Sequence, residues 1–361
     1  MIKNIFYILI FFVSINISAQ TAKYSNEFLS LGVGARALGM SNSVVASVND
    51  VTSTYWNPAG LLGISEDLQI GLMHSEYFAG ISKYDYLAAA TKLNDKSALG
   101  VTVIRFGVDD IPNTLDLIDS EGNIRYDRIS SFSVADYAFL VSYARKTNIE
   151  SLDVGGNIKI IRRIAGEFAS AWGFGLDASA IYKKDNWVFG AMFKDVTSTF
   201  NAWSFNTETF EETFNATGNE IPTNSLEITL PKFIFGAAYN FKIYKKFSGM
   251  IESDIDITTD GKRNVLIKSN VFSIDPHIGT EISYNNLVYL RLGVGNFQKI
   301  PQINAEDDFS FQPNLGLGIK FKRLALDYAF TDIGDQSIAL YSHVFSIRYG
   351  INKKVDDGVP N

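Results

Sequence analysis

The sequence predicts an all-β fold: a transmembrane antiparallel β-barrel of about fourteen strands with an N-terminal plug in its lumen. Three observations carry this prediction. The chain begins with an export signal, and its later segments alternate apolar and polar residues with a period of two. Those segments are about as long as the 9–11 residues of a tilted membrane strand. After the signal, no apolar run in the sequence is long enough for a membrane helix.

Residues 1–19 have the composition of a signal peptide. Lys3 supplies the positive charge, residues 5–15 form the apolar stretch, and residues 18–20 (Ser-Ala-Gln) offer small side chains for cleavage after Ala19. The apolar stretch is shorter than the roughly 20 residues that a membrane span needs. We therefore expect export, and a mature chain that starts near Gln20.

The stretch between the signal and the first strand differs from the rest of the chain. Residues 31–61 are rich in glycine, alanine and serine, which let a backbone pack closely against a wall. At their end Pro58 removes a donor and Gly60 permits a turn. We predict that residues 20–66 form a plug, residues 67–351 the barrel, and residues 352–361 a periplasmic tail.

Residues 309–322 show the strand alternation most clearly. One face is apolar from Phe309 through Leu317 to Phe321, while the other carries glycine and polar residues. Aromatic rings at both ends of an apolar stripe are typical of the two membrane interfaces. Alternation alone also fits a soluble β-sandwich or propeller, but export, segment length and the paired rings favour an outer-membrane barrel. We predict that Leu317 faces lipid and Gly318 faces the lumen.

The predicted strands and their connections indicate how the barrel is oriented. An even number of strands is what bacterial barrels require. The strands are predicted near 67–78, 84–93, 97–106, 133–145, 151–163, 170–182, 186–194, 229–242, 246–258, 271–284, 286–294, 308–322, 323–330 and 339–351. Short connections, such as 147–148 and 243–244, alternate with mostly longer ones, such as 108–132 and 197–227. Because periplasmic turns are short and extracellular loops are long, we expect both termini in the periplasm.

Several functional classes are disfavoured by composition. Without cysteine the chain has neither disulfides nor thiolate metal sites, and a net charge of −7 argues against nucleic acid as a partner. His74, His277 and His343 lie in different predicted strands, and the sequence has no Gly-x-Ser-x-Gly nucleophile motif. Residues 119–123 faintly resemble a calcium loop but lack its closing glutamate, so we expect a hairpin tip there. We expect no enzymatic activity, no cofactor and no metal.

The opening stretch resembles the N-terminal signature of the PorV/PorQ family. The resemblance rests on Gly-Ala-Arg-Ala-Leu-Gly-Met at 34–40, Asn-Asp at 49–50 and Tyr-Trp-Asn-Pro-Ala-Gly-Leu at 55–61. Members of this family are FadL-like fourteen-stranded outer-membrane barrels of Bacteroidetes, associated with the type IX secretion system. Ser41 and the Gly60-Leu61 pair differ from PorV itself, so the resemblance fits the cargo shuttle PorV and a paralogue with another task equally.

The resemblance implies a role in type IX protein secretion, with outer-membrane lipid around the barrel. The partners that it implies are the translocon barrel, a surface sortase, or the C-terminal signal domains of cargo proteins. The alternative is a FadL-like transporter of small hydrophobic molecules, and a passive structural barrel is a third hypothesis. A continuous apolar pocket under the outer loops, next to a kinked strand, would favour the transporter.

The first candidate functional site is the plug motif, which comprises Gly34, Arg36, Gly39, Met40, Trp56, Asn57 and Pro58. Arg36 is the only charged residue between Glu27 and Asp50. We expect it to pair with a wall carboxylate, which either anchors the plug or gates the lumen, and anchoring is the commoner use of such a pair. The candidate partners are Asp153, Asp177, Glu252, Asp254, Asp256, Asp275 and Glu281.

The second candidate site is the predicted loop 197–227. Its aromatic residues stand among Thr and Asn, and the candidates for partner binding are Trp203, Phe205, Phe210 and Phe214. Aromatic rings in an external loop indicate either a partner-binding surface or a small local core over the barrel mouth. The sequence supports both interpretations equally.

Overall fold

The computed structural model describes residues 25–115, 117–119, 121–209, 211, 214–215, 218–301, 307–332 and 341–352. The predicted signal peptide and nearly all of the predicted tail lie outside these residues. Within them, no helix is long and apolar enough to cross a membrane.

The described residues form one antiparallel sheet of seventeen strands. The period-two alternation noted above produces these strands, since it allows each one to place apolar side chains on one face and polar or small ones on the other. In chain order they are β1 Leu68–Tyr77, β2 Ser82–Asn94, β3 Ser97–Asn113, β4 Ser130–Lys146, β5 Leu152–Ala165, β6 Ala169–Lys184, β7 Trp187–Lys194, β8 Thr199–Phe205, β9 Ser225–Thr229, β10 Lys232–Tyr244, β11 Phe247–Thr258, β12 Ile267–Lys268, β13 Ser273–Tyr284, β14 Val288–Pro301, β15 Asp307–Phe321, β16 Leu324–Thr331 and β17 Ser342–Ile351.

These strands fill fourteen positions in a closed barrel wall. β7 and β8 are two halves of one broken strand, because both pair with β6. β9 and β10 are likewise two halves, pairing with β8 and β7 respectively, and β12 pairs with β13 inside a loop. β1 pairs with β17 and closes the ring. The predicted all-β barrel of fourteen strands is confirmed.

The two faces of the wall differ as the sequence predicts. Leu317 is 54% exposed on the outside of β15, whereas the neighbouring Gly318 points inward. A Cβ placed on Gly318 would lie 2.5 Å from the Asp327 carboxylate oxygen and 2.6 Å from an Arg291 guanidinium nitrogen. Rings such as Trp172 remain exposed on the outer face. Most of the outer wall is therefore apolar and carries exposed aromatic side chains, as in transmembrane barrels.

Residues 25–66, called the luminal segment below, lie inside the ring of strands. Their apolar side chains form one buried cluster with inward-facing residues of the wall. At Gly39 the approach is so close that a Cβ would lie 2.8 Å from the Cα of Gly316 in β15. A 3-10 helix, Pro58–Gly63, packs against β4, β5 and β6. The small residues of this segment let its backbone touch the wall.

The connections alternate in length, and two sequence-based boundaries prove wrong. β10 continues to Tyr244, so the turn lies at Lys245 and Lys246, with Lys245 at φ 46, rather than at 243–244. The predicted loop 197–227 contains strands β8 and β9. Residues 199–203 alternate like a strand, but the sequence pattern did not reveal it. A bulge at 195–198, where Asp195 and Ser198 have positive φ, interrupts the period of two just before them.

Candidate functional site: the luminal segment and the extracellular mouth

The luminal segment is built from short helical turns. α1 (Ala35–Leu38) follows Gly34, whose φ of +84 suits glycine, and α2 (Ser53–Trp56) leads to Asn57. The Asn57 side chain accepts a hydrogen bond from the Ala59 N–H at 3.2 Å and caps the turn that begins with Pro58. The Asn-Pro pair of the motif therefore starts the last helical turn before β1.

The other motif residues tie the luminal segment together and to the wall. The Trp56 indole N–H donates to the Val33 carbonyl at 2.8 Å. The Asn57 amide donates to the carbonyl of Val45 at 2.8 Å and to that of Ala180 in β6 at 3.2 Å. Met40 is fully buried. These contacts are structural anchors within the lumen.

Arg36 pairs with Glu281, one of the seven expected wall carboxylates, at 3.0 Å. The pair belongs to a chain of ion pairs that begins and ends in the luminal segment and runs through Arg36, Glu281, Arg291, Asp327, Arg348 and Asp50. Arg291 lies 2.6 Å from Glu281 and 2.7 Å from Asp327. Because four wall strands supply its middle members, the chain fixes the segment to that side of the barrel.

Sequence reasoning missed Arg291 and Arg348. A signal for both was present in the sequence. Each arginine stands at a position that alternates with apolar residues, and such a position faces the lumen when the apolar residues face lipid. Arg291 stands between Leu290 and Leu292 in β14, and its side chain is 2% exposed. A buried arginine is tolerated inside a barrel when carboxylates surround it and pair with its charge.

Two further carboxylates hold the backbone of residues 44–47. Asp254 accepts from the N–H groups of residues 44 and 45 at 2.9 and 3.0 Å. Glu252 accepts from those of residues 46 and 47 at 2.7 and 3.3 Å. Both carboxylates are on β11, which pairs with β13, the strand that carries Glu281 of the ion-pair chain. The luminal segment is thus fastened to the wall at separate places.

Asp50 belongs to the luminal segment, and its pKa shows how firmly it is held. Burial by itself would raise the pKa of this carboxyl, but the positive charges of Arg348 and Arg36 outweigh burial and lower it below the usual 3.8. The charged Asp50 carboxylate therefore stabilises the folded state at any pH above the usual pKa of this group. That stabilisation is lost as the pH falls through the lowered pKa of the folded state. Asp50 therefore stays charged, and paired with Arg348, at neutral and mildly acidic pH.

A small polar cavity of about 80 Å³ lies beside the luminal segment. Three cations that line it have carboxylate partners. Lys159 lies 3.0 Å from Asp177, Lys232 lies 2.5 Å from Asp256, and Arg263 pairs with Glu27. A fourth, Lys194, lies 3.9 Å from the ring centroid of Tyr55. The lining is charged, and the space is too small for a drug-sized ligand, whose pockets measure roughly 300–1,000 Å³.

The wall is broken next to this cavity. Backbone pairing between β7 and β10 ends at Lys194 and Lys232, and pairing between β8 and β9 begins at Thr199 and Thr229. Pro231 lies in the gap and has no N–H to donate. The structure therefore has a kinked strand pair beside a pocket, but that pocket is polar.

The predicted aromatic loop is divided between the wall and the mouth. Trp203 is in β8, where its indole N–H donates to Glu227 at 2.9 Å and the Arg163 guanidinium lies 5.1 Å from its ring centroid. Phe205 stacks beside Trp203 at 6.2 Å. Phe214 lies in the connection, and Phe210 lies outside the described residues. Trp203 is engaged in the mouth of the barrel and is not a free ring on the surface.

The β3–β4 hairpin is the feature that sequence reasoning underrated. Both strands have seventeen residues, against the roughly 9–11 that cross a membrane, so the hairpin extends beyond the membrane. Near its tip Ile118, Ile124 and Tyr126 are 66%, 57% and 72% exposed. Asp119 holds the turn by accepting from the Asn123 N–H at 2.8 Å.

Among the described residues, no group of acidic or histidine side chains has the geometry to hold a metal.

Solved barrels of the same architecture show what class of protein this is. The toluene transporter TodX of Pseudomonas putida superposes with a TM-score of 0.58 at 14% identity, over 92% of this chain and 100% of that chain. The CymD monoaromatic hydrocarbon channel gives 0.52 at 13%, over 92% and 100%. A FadL homologue from Pseudomonas aeruginosa gives 0.51 at 12%, over 88% and 97%. At these identities the likeness shows the fold alone, a closed barrel of the FadL-like type.

The family model described as "Type IX secretion system protein PorV" matches residues 16–259. Since this is more than half of the chain, the protein belongs to the PorV family of type IX secretion barrels. A search of curated proteins gave no significant match. The resemblance seen in residues 34–61 is thereby confirmed at the level of the family.

Proposed function

We propose that this barrel serves type IX secretion by binding a partner or cargo protein at its extracellular end while its lumen stays closed. The observation that carries the proposal is the luminal segment, which is fastened by the ion-pair chain and by Glu252 and Asp254 on the adjoining strand β11, and by Asn57 to β6. A barrel filled in this way is suited to recognition by its outer surface rather than to conduction.

The proposal includes export, orientation and partners. Residues 1–19 act as the signal peptide, residues 20–66 act as a plug, and both termini lie in the periplasm, which the short turns at that end of the barrel support. The family supports three partner candidates, namely the translocon barrel, a surface sortase and the C-terminal signal domains of cargo. Each of these partners would contact the barrel within the outer membrane or on its extracellular side.

The tip of the β3–β4 hairpin is the best candidate surface for that contact. Exposed apolar residues at a protruding tip are typical of contact residues at protein interfaces. Trp203 and Phe205 are less suitable because they face inward and contact the wall. We therefore move the expected binding surface from the predicted aromatic loop to Ile118, Ile124 and Tyr126.

Replacing Ile118, Ile124 and Tyr126 together by Ser is expected to abolish co-purification of partner proteins from outer membranes. Hot-spot side chains typically contribute on the order of 2 kcal/mol or more each, so three together should reduce binding beyond detection. The barrel should still fold, because its wall does not depend on the tip. Quantitative mass spectrometry of the purified complex measures the loss, and heat-modifiable gel mobility checks folding.

A matched control removes exposed apolar side chains from another long loop. Val271 and Phe272, 72% and 41% exposed, lie between β11 and β13. Changing both to Ser should leave the partners bound. If the tip variant retains its partners, or if the control loses them equally, the hairpin tip is not the binding surface.

A FadL-like transport function is the second candidate, and the broken wall at 195–198 is the observation that favours it. The charged lining of the adjoining cavity opposes it, since an apolar solute would have to displace water from the partly exposed Lys232, Asp256 and Arg263. We predict that proteoliposomes containing the protein take up a hydrophobic fluorescent tracer no faster than protein-free liposomes. Uptake that rises with the amount of protein would instead support transport.

A further inference from the structure

Charged side chains lie on the outer face of the barrel, where lipid is expected. They occupy the outward register of β1, β2 and β3, the same register as the exposed Leu72 and Leu87. Six ionisable residues share this face: His74, Glu76, Lys83, Asp85, Arg105 and Asp109. Ionisable residues at membrane depth are rare and usually functional.

These side chains form one connected network across the three strands. His74 lies 2.7 Å from Asp85, and Arg105 lies 3.8 Å from Asp85 and 3.3 Å from Asp109. Lys83 completes the network at 3.4 Å from Asp109. All remain partly exposed; His74, for example, has 54% of its side chain accessible. The charges of the network are thus paired in part with one another, and some of their polar atoms remain exposed on the outer face.

The position of the network along the strands shows that it is not simply a water-exposed rim. Towards the periplasm the outward residues are Leu72 and Leu87, which are 49% and 48% exposed. Beyond the network, at the tight turn that joins β1 and β2, Phe78 and Ile81 are 56% and 63% exposed. The charges are therefore flanked by apolar residues on both sides. β1 is also ten residues long, about the length of a membrane crossing, so its charges lie within the outer half of the span.

Among the described strands, β10, β11 and β15 have no charged side chain on the outer face. The outward residues of β15 from Phe309 to Phe321 are uncharged, as are those of β10 from Phe233 to Ile243 and those of β11 from Phe247 to Ile257. A groove of about 400 Å³ runs over the surface next to the network. It is lined by Leu72, Leu87, Val103, Phe345 and Ile347, with His74, Asp85 and Arg105 at its edge.

We propose that the outer face of β1, β2 and β3 is a docking surface, within the membrane, for a second membrane-spanning protein. Hydrocarbon would leave the exposed charges unsolvated, whereas a protein wall can supply hydrogen bonds and fill the apolar groove beneath them. The network has three carboxylates against Lys83, Arg105 and one histidine. This balance disfavours the phosphates of a lipid headgroup and favours a partner that presents basic or hydrogen-bond-donating side chains. The proposal does not depend on a role in secretion.

Site-specific photo-crosslinking in cells of the native host tests this surface. The probe amino acid is placed at Leu87, in the groove, or at Ile251 in β11, which is 49% exposed on the far side of the ring. We expect an adduct with another membrane-spanning protein from position 87 and at least tenfold less from position 251. No adduct, equal adducts at both positions, or adducts with lipopolysaccharide or a second copy of this chain would overturn the proposal.

The second arm tests whether the charges make the contact. In the Leu87 probe background, Glu76→Gln with Asp85→Asn should reduce the adduct at least tenfold. Glu150→Gln with Asp185→Asn, at exposed periplasmic turns, removes the same charge elsewhere and should leave the adduct unchanged. Heat-modifiable mobility checks that each variant folds. An adduct that survives the first pair of changes refutes the proposal, whereas lost secretion with an intact adduct bears on the proposed function alone.

Discussion

Replacing Arg291 by Met is expected to lower the free energy of unfolding by about 3–5 kcal/mol, the typical cost of removing one partner from a buried ion pair. The side chain is 2% exposed and lies between Glu281 and Asp327. Its loss leaves two carboxylates without their central cation, and Arg36 and Arg348 have to satisfy them from one side each. Urea-induced unfolding in detergent or lipid, followed by tryptophan fluorescence, measures the change.

Two further variants separate an unpaired charge from simple loss of packing. Lys320→Met removes an exposed lumen-side cation that has no carboxylate partner among the described residues, and we expect a change below about 0.5 kcal/mol. Adding Asp327→Asn and Glu281→Gln to Arg291→Met removes the charges left behind and should recover part of the stability. A triple variant that is less stable than Arg291→Met would show that the three charges do not act as one network.

Replacing Leu317 by Arg is expected to destabilise the folded barrel by about 2–4 kcal/mol, the cost of an arginine facing lipid near the midplane. Leu317 is 54% exposed on the outer face, four residues from the end of β15 at Phe321. Equilibrium folding into vesicles, read by heat-modifiable mobility, gives the difference from the wild type. The barrel should also assemble more slowly.

Depth provides the matched control for this substitution. Phe321→Arg changes the same strand and the same face at the interface, where arginine costs only about 0–1 kcal/mol. A larger effect at position 317 than at 321 is expected. Equal effects, or none at 317, would show that this part of β15 does not face the hydrocarbon.

The fastened luminal segment and the outward charges are the two features on which the proposed contacts with other proteins rest. Inside, the luminal segment is held by residues from several strands, and the cavity beside the wall break is small and charged. Outside, the tip of the β3–β4 hairpin and the charged face of β1–β3 are the two proposed contact surfaces, the first beyond the strand ends and the second on the wall.

The sequence by itself determined the barrel, its strand number, the face of each strand and the family. The period of two assigned Leu317 and Gly318 to opposite sides, because successive side chains of a strand always point in opposite directions. The motif at residues 34–61 indicated the PorV family, and the lone Arg36 called for a carboxylate. These are local properties, and neighbouring residues are enough to reveal them.

Only the tertiary structure decided which residues meet. Seven wall carboxylates were possible partners for Arg36, and strand register and barrel closure placed Glu281 beside it. The bulge at 195–198 moved Trp203 from an apparent loop into the wall, since an extra turn of backbone is invisible to a pattern of alternation. The charges of β1, β2 and β3 are scattered over thirty-six residues of sequence, from His74 to Asp109. They become one outward surface only because three strands pair side by side.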